Sequence, residues 1–424
     1  MKEIIKYHTK IFTDLHSQII NSPHYQKNGN YNCITVGFEQ NPIAYFAFEK
    51  QLDGFCIIAF KLTTDDIIIG KLTERIIQIA VIAKKNISFF DSVLYKVFVK
   101  YGEIKKEGSN FILPIAGLIH NNIKRFIDIG LLPTGKNNMI TDVPGVTVGH
   151  ATINSPEEIK TGITAVLPHR GNLFKEKVIA ASYVFNGFGK TVGLIQVNEL
   201  GTIETPIILT NTLSIGVVTD GLIAYMLEQT AEIGDETGTV NPLVLECNDG
   251  YLNNIRNIAL KKEDVYKAIK SADTIFAQGG IGAGTGMRCL GFKGGIGSAS
   301  RILKIKNETY TLGVLVNSNF QGNSSSELII KGRHLGKLIN KKPSNDHIQG
   351  SIVVIIATDL PLSSLQLKRI AKRAEIGIGN TGGYAASGSG DIIIAFSVAN
   401  KIVHFPSEPY LSGKILHNSY LNCV

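Results

Sequence analysis

Read by its hydrophobic pattern, the chain predicts a layered α/β sandwich behind a smaller α+β region. Three observations carry this. From about residue 126 onward, apolar runs alternate with glycine-rich turns, and several are apolar at nearly every position, as strands buried on both faces are. Helical periodicity appears among them in VVTDGLIAYMLEQTAE (217–232), KEDVYKAIKSA (262–272) and SSLQLKRIAKRAEIG (363–377). The runs do not follow regular βαβ units, which disfavours a doubly wound nucleotide fold and favours helices packed on sheets.

In chain order, residues 4–20 read as an amphipathic helix. ITVGF, IAYFAF and FCIIAFKL read as short strands separated by NG, NP and DG turn signals. This region, 1–125, is rich in Ile, Phe, Tyr and Lys and carries no recognisable chemistry. The second region, 126–424, offers TDVPGVTVGH, TGITAVLP, YVFNGFGKTVGLIQV, PIILTNT, TLGVLVNSNF, SIVVIIATD and DIIIAFSVAN as strands.

Bulk properties narrow the function classes. Apolar residues at 44 % and charged residues at 18 % describe a globular protein. The net charge of +8 is spread along the chain, and Trp is absent, so no basic groove with stacking aromatics for nucleic acid is expected. The five cysteines form no CxxC pair, and the charged N-terminus has no apolar core of a signal peptide. Apolar runs are too short to span a bilayer, and a cytoplasmic protein is expected. The ten histidines show no HExxH spacing, so no metal is called for.

Five segments have residues suited to chemistry. The glycine-dense GGIGAGTGMRCLGFKGGIGSASR (279–301) lacks the strand, helix and distal acid of a dinucleotide site, and reads as backbone passing close to backbone. ECNDGYLNNI (246–255) reads first as an Asn-Asp-Gly turn. NSNF (317–320) puts Asn319 at a strand end, where its amide can face a developing oxyanion. In SGSGDIIIAF (387–396), Ser389 and Asp391 share a face if the segment is extended. At Gly350–Ser351, the polar stretch NKKPSNDHIQ runs into an apolar strand. A serine freed there would carry an α-amine, a group that titrates near ~7.7–8.0 and suits a general base. As a dipeptide alone, Gly350–Ser351 is an ordinary loop-to-strand junction.

Taken together, these stretches resemble the family of L-aminopeptidase/D-esterase and the β-peptidyl aminopeptidases, self-processing peptidases with an N-terminal serine. LLPTGKNNMITDVPGVTVGH, FNGFGKTVGLIQVNELGTIETPIILTNT, ECNDGYLNNIR, GAGTGMRCLGFKGGIGSASR, LGVLVNSNFQG, SIVVIIATDLPL and GSGDIIIAFSVAN occur in family order over roughly residues 126–400. The resemblance implies an αββα sandwich like the N-terminal-nucleophile hydrolases but with its own topology. It also implies a precursor cut into an α part, 126–350, and a β part, 351–424, assembled as a homo-oligomer, commonly a tetramer. Position by position, Ser351 matches the nucleophile, Gly350 the residue before the cut and Asn319 the oxyanion-stabilising amide. Ser389 matches a second serine, and Asp391 a position that is glutamate in the best-known members. A tyrosine belongs to the family's site: Tyr251 is the choice, with Tyr183 as fallback. The substrates implied are small peptides, amides or esters with a free amino terminus, and no cofactor is implied. Two alternatives stand beside this, an acyltransferase of the ornithine-acetyltransferase type, which uses threonine at the cut, and a scaffold that is not processed. Residues 1–125 have no counterpart in the family, and HNSYLNCV (417–424) reads as the opening of a family helix that this chain cuts short.

Overall fold

A computed structural model describes residues 130–155, 158–320, 325–339 and 350–424, together with the backbone of six strands between residues 31 and 113. The chain divides into two compact units, Met1–Gly130 and Leu131–Val424. In the first, strands β1 (Tyr31–Phe38), β2 (Asn41–Lys50), β3 (Gly54–Lys61), β4 (Asn86–Phe89), β5 (Lys105–Glu107) and β6 (Asn110–Leu113) form one sheet in the order β1-β2-β3-β4-β6-β5. The runs ITVGF, IAYFAF and FCIIAFKL fall on β1, β2 and β3; the helix expected over 4–20 lies outside the described residues.

The second unit contains two sheets. Strands β7 (Thr147–Asn154), β8 (Lys160–Leu167), β11 (Ile207–Asn211) and β12 (Leu243–Cys247) form a sheet ordered β12-β11-β8-β7. The other is ordered β10-β9-β16-β15-β14-β13. It comprises β9 (Glu176–Gly187), β10 (Thr202–Ile203), β13 (Gly295–Ile305), β14 (Glu308–Asn319), β15 (Gly350–Thr358) and β16 (Ser389–Val403). Helices α1 (Leu194–Leu200), α2 (Ile215–Gln229), α3 (Lys262–Lys270), α4 (Ser364–Lys372) and α5 (Ala374–Asn380) connect them.

Side-chain alternation shows how the layers stack. On β15, Val353, Ile355 and Ala357 join a core with Ile392, Ile394 and Phe396 of β16 and with Ile207, Leu209, Leu243 and Leu245 of the other sheet. The intervening Ile352, Val354 and Ile356 pack with Leu367, Ile370 and Ala371 of α4 and Ile378 of α5. On the far side, Ile163, Ala165, Ile208 and Val244 pack with Val218 and Leu222 of α2 and Val265 and Ala268 of α3. Successive strand residues point to opposite faces, so a strand that is apolar throughout is one covered on both sides. The result is helix, sheet, sheet, helix, as the resemblance implied.

Two sequence readings are corrected. YVFNGFGKTVGLIQV is not one strand: β9 ends at Gly187, and Leu194–Leu200 is helical. Gly193 (φ +97°) opens that helix with its Cα against Pro242; a Cβ there would meet the Pro242 carbonyl oxygen at 2.4 Å. The last seven residues of the glycine-dense stretch, Gly295–Arg301, belong to strand β13, which is paired along its whole length with β14. At the chain's end, Asn418–Cys423 form a 3₁₀ segment that docks on α4. Leu421 is fully buried there, Gln366 donates to the Leu416 carbonyl at 2.7 Å, and Arg373 donates to the Leu421 carbonyl at 3.2 Å. Among the described residues no helix is long and apolar enough to cross a membrane.

Candidate active site

Ser351 is the second residue of β15, and its register places it between two partners. Across the antiparallel pair it faces Asn319, the last residue of β14; across the parallel pair it faces Gly390. The end of β12 approaches from the other sheet, where buried Cys247 directs its thiol at the Asn317 carbonyl. Burial pushes that thiol far above its ordinary pKa, so a neutral group lies beneath Ser351. The next residue supplies a donor: the Asn248 N–H reaches Ser351 Oγ at 3.2 Å. The Asn319 Nδ2 lies 3.5 Å from the same oxygen and donates at 2.7 Å to the Asn248 carbonyl, while the Arg288 N–H holds Asn319 Oδ1 at 2.9 Å. That last bond fixes which end of the amide faces the serine.

The turn after β12 is built as its residues require. Asn248 Oδ1 accepts the Gly250 N–H, and the Asp249 carbonyl accepts from Leu252 and Asn253. Asp249 is buried, and its carboxylate accepts from Thr161 Oγ1 at 2.7 Å and from Asn253 Nδ2 at 3.0 Å. Desolvation nevertheless raises its pKa to about 6. The segment reads as a turn, and it also delivers Asn248 to the serine.

Ser389 and Asp391 are two apart on extended β16 and are 3 % and 2 % exposed, so Asp391 is no solvated edge residue. Ser389 Oγ donates to Asp391 Oδ1 at 2.5 Å. The Asp391 carboxylate also takes the Ile352 N–H, one residue past the serine; burial outweighs both bonds and lifts its pKa above the usual carboxylate range. Gly390 between them is closely packed: a Cβ would lie 3.0 Å from the Phe188 carbonyl oxygen and from Gly189 Cα.

Ser351 and Gly350 open onto a cavity of about 440 Å³ whose walls include Asn319, Asn248, Glu246, Tyr251, Arg288, Phe188 and Lys190. Tyr251 therefore lines the site, with the Arg288 guanidinium stacked 3.9 Å from its ring centroid. The fallback, Tyr183, lies elsewhere: it packs beneath α4 and α5, with its hydroxyl bonded to Glu375 and Lys372 over its ring. Three wall residues carry no mark in the sequence as site residues. Glu246, Asn248 and Arg288 lie inside segments whose local pattern explains them as strand end, turn and glycine-rich loop. The loop's glycines do pack backbone on backbone: a Cβ on Gly286 would meet the Lys160 carbonyl oxygen at 2.3 Å, and one on Gly294 the Ser318 carbonyl oxygen at 2.3 Å.

Comparison with known proteins agrees with this geometry. The sequence profile of peptidase family S58 matches residues 138–424. A curated relative, β-peptidyl aminopeptidase BapA of Sphingosinicella microcystinivorans, is 36 % identical over 337 residues, covering 73 % of this chain and 83 % of the relative. Among solved structures, the PH0078 protein of Pyrococcus horikoshii OT3 is 53 % identical with a TM-score of 0.66, covering 69 % of this chain and 83 % of that one. The L-aminopeptidase D-Ala-esterase/amidase of Ochrobactrum anthropi, described as a variant of the Ntn hydrolase fold, is 36 % identical with a TM-score of 0.64, covering 69 % and 83 %. The chain belongs to peptidase family S58 and is an aminopeptidase with an N-terminal-nucleophile-hydrolase fold.

Proposed function

We propose that the chain is a precursor that cleaves itself between Gly350 and Ser351 and then removes N-terminal residues from small peptides, amides or esters through a Ser351 acyl-enzyme. The observation that carries this reading is the pair of donors, Asn248 N–H and Asn319 Nδ2, converging on Ser351 Oγ at the wall of a cavity that Gly350 also lines. In maturation, Ser351 Oγ attacks the Gly350 carbonyl carbon and the C–N bond breaks as its nitrogen gains a proton. Water then hydrolyses the ester, leaving a Gly350 carboxylate, a free hydroxyl and a free α-amine. In turnover the α-amine takes the hydroxyl proton as Oγ attacks the substrate, and returns it to the leaving amine. The two donors stabilise the oxyanion, and water releases the acyl group.

The remaining polar groups divide by position. Asp391 is engaged by Ser389 and the Ile352 N–H and does not line the cavity, which favours a positioning role over capture of the substrate ammonium. Glu246 does line it, accepting the Lys190 N–H at 3.0 Å and the Thr212 hydroxyl, and is the better-placed carboxylate for an ammonium. Assembly as a cytoplasmic homo-oligomer belongs to the same proposal. Light scattering on the purified protein and fractionation of cells test its two halves.

The central experiment is intact-mass analysis and N-terminal sequencing of purified protein. A fragment beginning Ser-Ile-Val-Val is expected, with hydrolysis of aminoacyl p-nitroanilides by the cut form. A single uncut chain in active preparations would overturn the proposal.

A further inference from the structure

The cavity beside Ser351 differs in burial and in charge along its wall. Glu246 is 5 % exposed, whereas Tyr251 is 69 % exposed and carries Arg288 stacked on its ring. The Arg288 guanidinium has no hydrogen-bond or ion-pair partner among the described residues; only its backbone N–H is engaged, with Asn319. Lys190, the other cation on the wall, instead lies over the Phe188 ring and donates to the Phe188 carbonyl. A guanidinium that lies over an aromatic ring and is bonded to no acceptor keeps its N–H donors available, and those donors form a planar fork matched to a carboxylate.

We infer that Arg288 binds a carboxylate on the leaving half of the substrate, which makes dipeptides with a free C-terminus the preferred substrate class. This rests on Ser351 being the nucleophile. An aminopeptidase substrate has its ammonium on the acyl half, drawn to Glu246 and repelled by Arg288. The acyl half therefore sits at the buried end and the leaving half at the exposed one. Arg288 is also hydrogen-bonded to the same Asn319 that faces Ser351, so its side chain starts next to the reacting carbonyl. One extended residue spans about 3.3–3.6 Å, so the group within reach is the carboxylate of the residue immediately after the scissile bond. That residue offers either its α-carboxylate or an acidic side chain.

The test compares kcat/KM for Ala-Ala, Ala-Ala amide and Ala-Asp amide on wild type, Arg288→Gln and Arg288→Lys. In wild type, Ala-Ala is expected to exceed Ala-Ala amide about tenfold, the scale of one charge-assisted hydrogen bond. Arg288→Gln is expected to bring that ratio near one, and Arg288→Lys to keep part of it. Equal wild-type rates for acid and amide overturn the inference without any variant, as does a ratio unchanged in Arg288→Gln. A gain for Ala-Asp amide alone overturns the dipeptide assignment in favour of an acidic second residue. If none of the three is hydrolysed while aminoacyl p-nitroanilides are, the inference is overturned and the Ser351 reading stands; if the p-nitroanilides are not hydrolysed either, it is the Ser351 reading that fails.

Discussion

Two polar pairs stand at neighbouring strand ends of one sheet, and they are connected differently. Asn319 and Ser351 face each other across antiparallel strands and open onto the cavity, with their remaining bonds going to Asn248 and Arg288 from two further segments. Ser389 and Asp391 lie on a single strand, close on each other at 2.5 Å and line no part of the cavity. The residue types are similar, yet one pair can meet a substrate and the other reaches the reaction only through the Ile352 backbone. Position relative to the cavity, and not polarity, separates a group that acts on substrate from one that holds the actor in place.

The comparison breaks most sharply at Ser351. Ser351→Ala is expected to abolish both cleavage and turnover, a loss of roughly 10⁶ in kcat as for other serine nucleophiles; intact mass and p-nitroanilide hydrolysis read the two effects. Asn319→Ala is expected next, with kcat lower by ~10²–10³ and processing slowed, since one oxyanion donor is removed. The other pair should respond less. Asp391→Asn is expected to lower kcat by about 10²-fold at most, the low end for groups that assist proton transfer. Because burial raises the Asp391 pKa, wild-type activity that needs its carboxylate ionised falls on the acid side at a pH above the ordinary carboxylate range. The asparagine variant should lose that limb of the kcat profile, and a limb unchanged in the variant would remove Asp391 from it.

The smallest effect is one of stability, in the turn that delivers Asn248. The Asp249 pKa rises from 3.8 to about 6 on folding, so its neutral form is the one the folded state prefers. Its stabilising contribution is full below the unfolded value and is lost as pH rises through about 6. Asp249→Asn is therefore expected to gain on wild type in melting temperature as pH rises from about 3.5 to about 7, by the equivalent of about 2–3 kcal/mol at most. A difference that stays constant with pH would show that Asp249 does not titrate in this range.

Much of this was legible in the residue order. SIVVIIATD and DIIIAFSVAN read as strands covered on both faces, and the structure seats them side by side at the centre of a sheet. The three helical stretches appear as α2, α3 and the pair α4 and α5. YVFNGFGKTVGLIQV misled because an apolar run of that kind suits strand or helix, and the break is made by Gly193 against Pro242, a contact 49 residues away in the chain. Strand β13 was hidden because its glycines and serines weaken the local signal, which its pairing with β14 replaces.

For the site, the order of motifs pointed to Ser351, Asn319, Ser389, Asp391 and Tyr251. Their roles came from the resemblance carried by those motifs; Asn319, Ser351, Ser389 and Asp391 lie near strand ends, and Tyr251 in the turn after β12. Alternation and turn chemistry are properties of neighbours in sequence, so they survive in one dimension. The tertiary structure alone decided that Asn248 donates to Ser351, that Tyr251 and not Tyr183 lines the cavity, and that Glu246 and Arg288 share its wall. These groups come from different strands and loops, and only the meeting of two sheets brings them to one cavity.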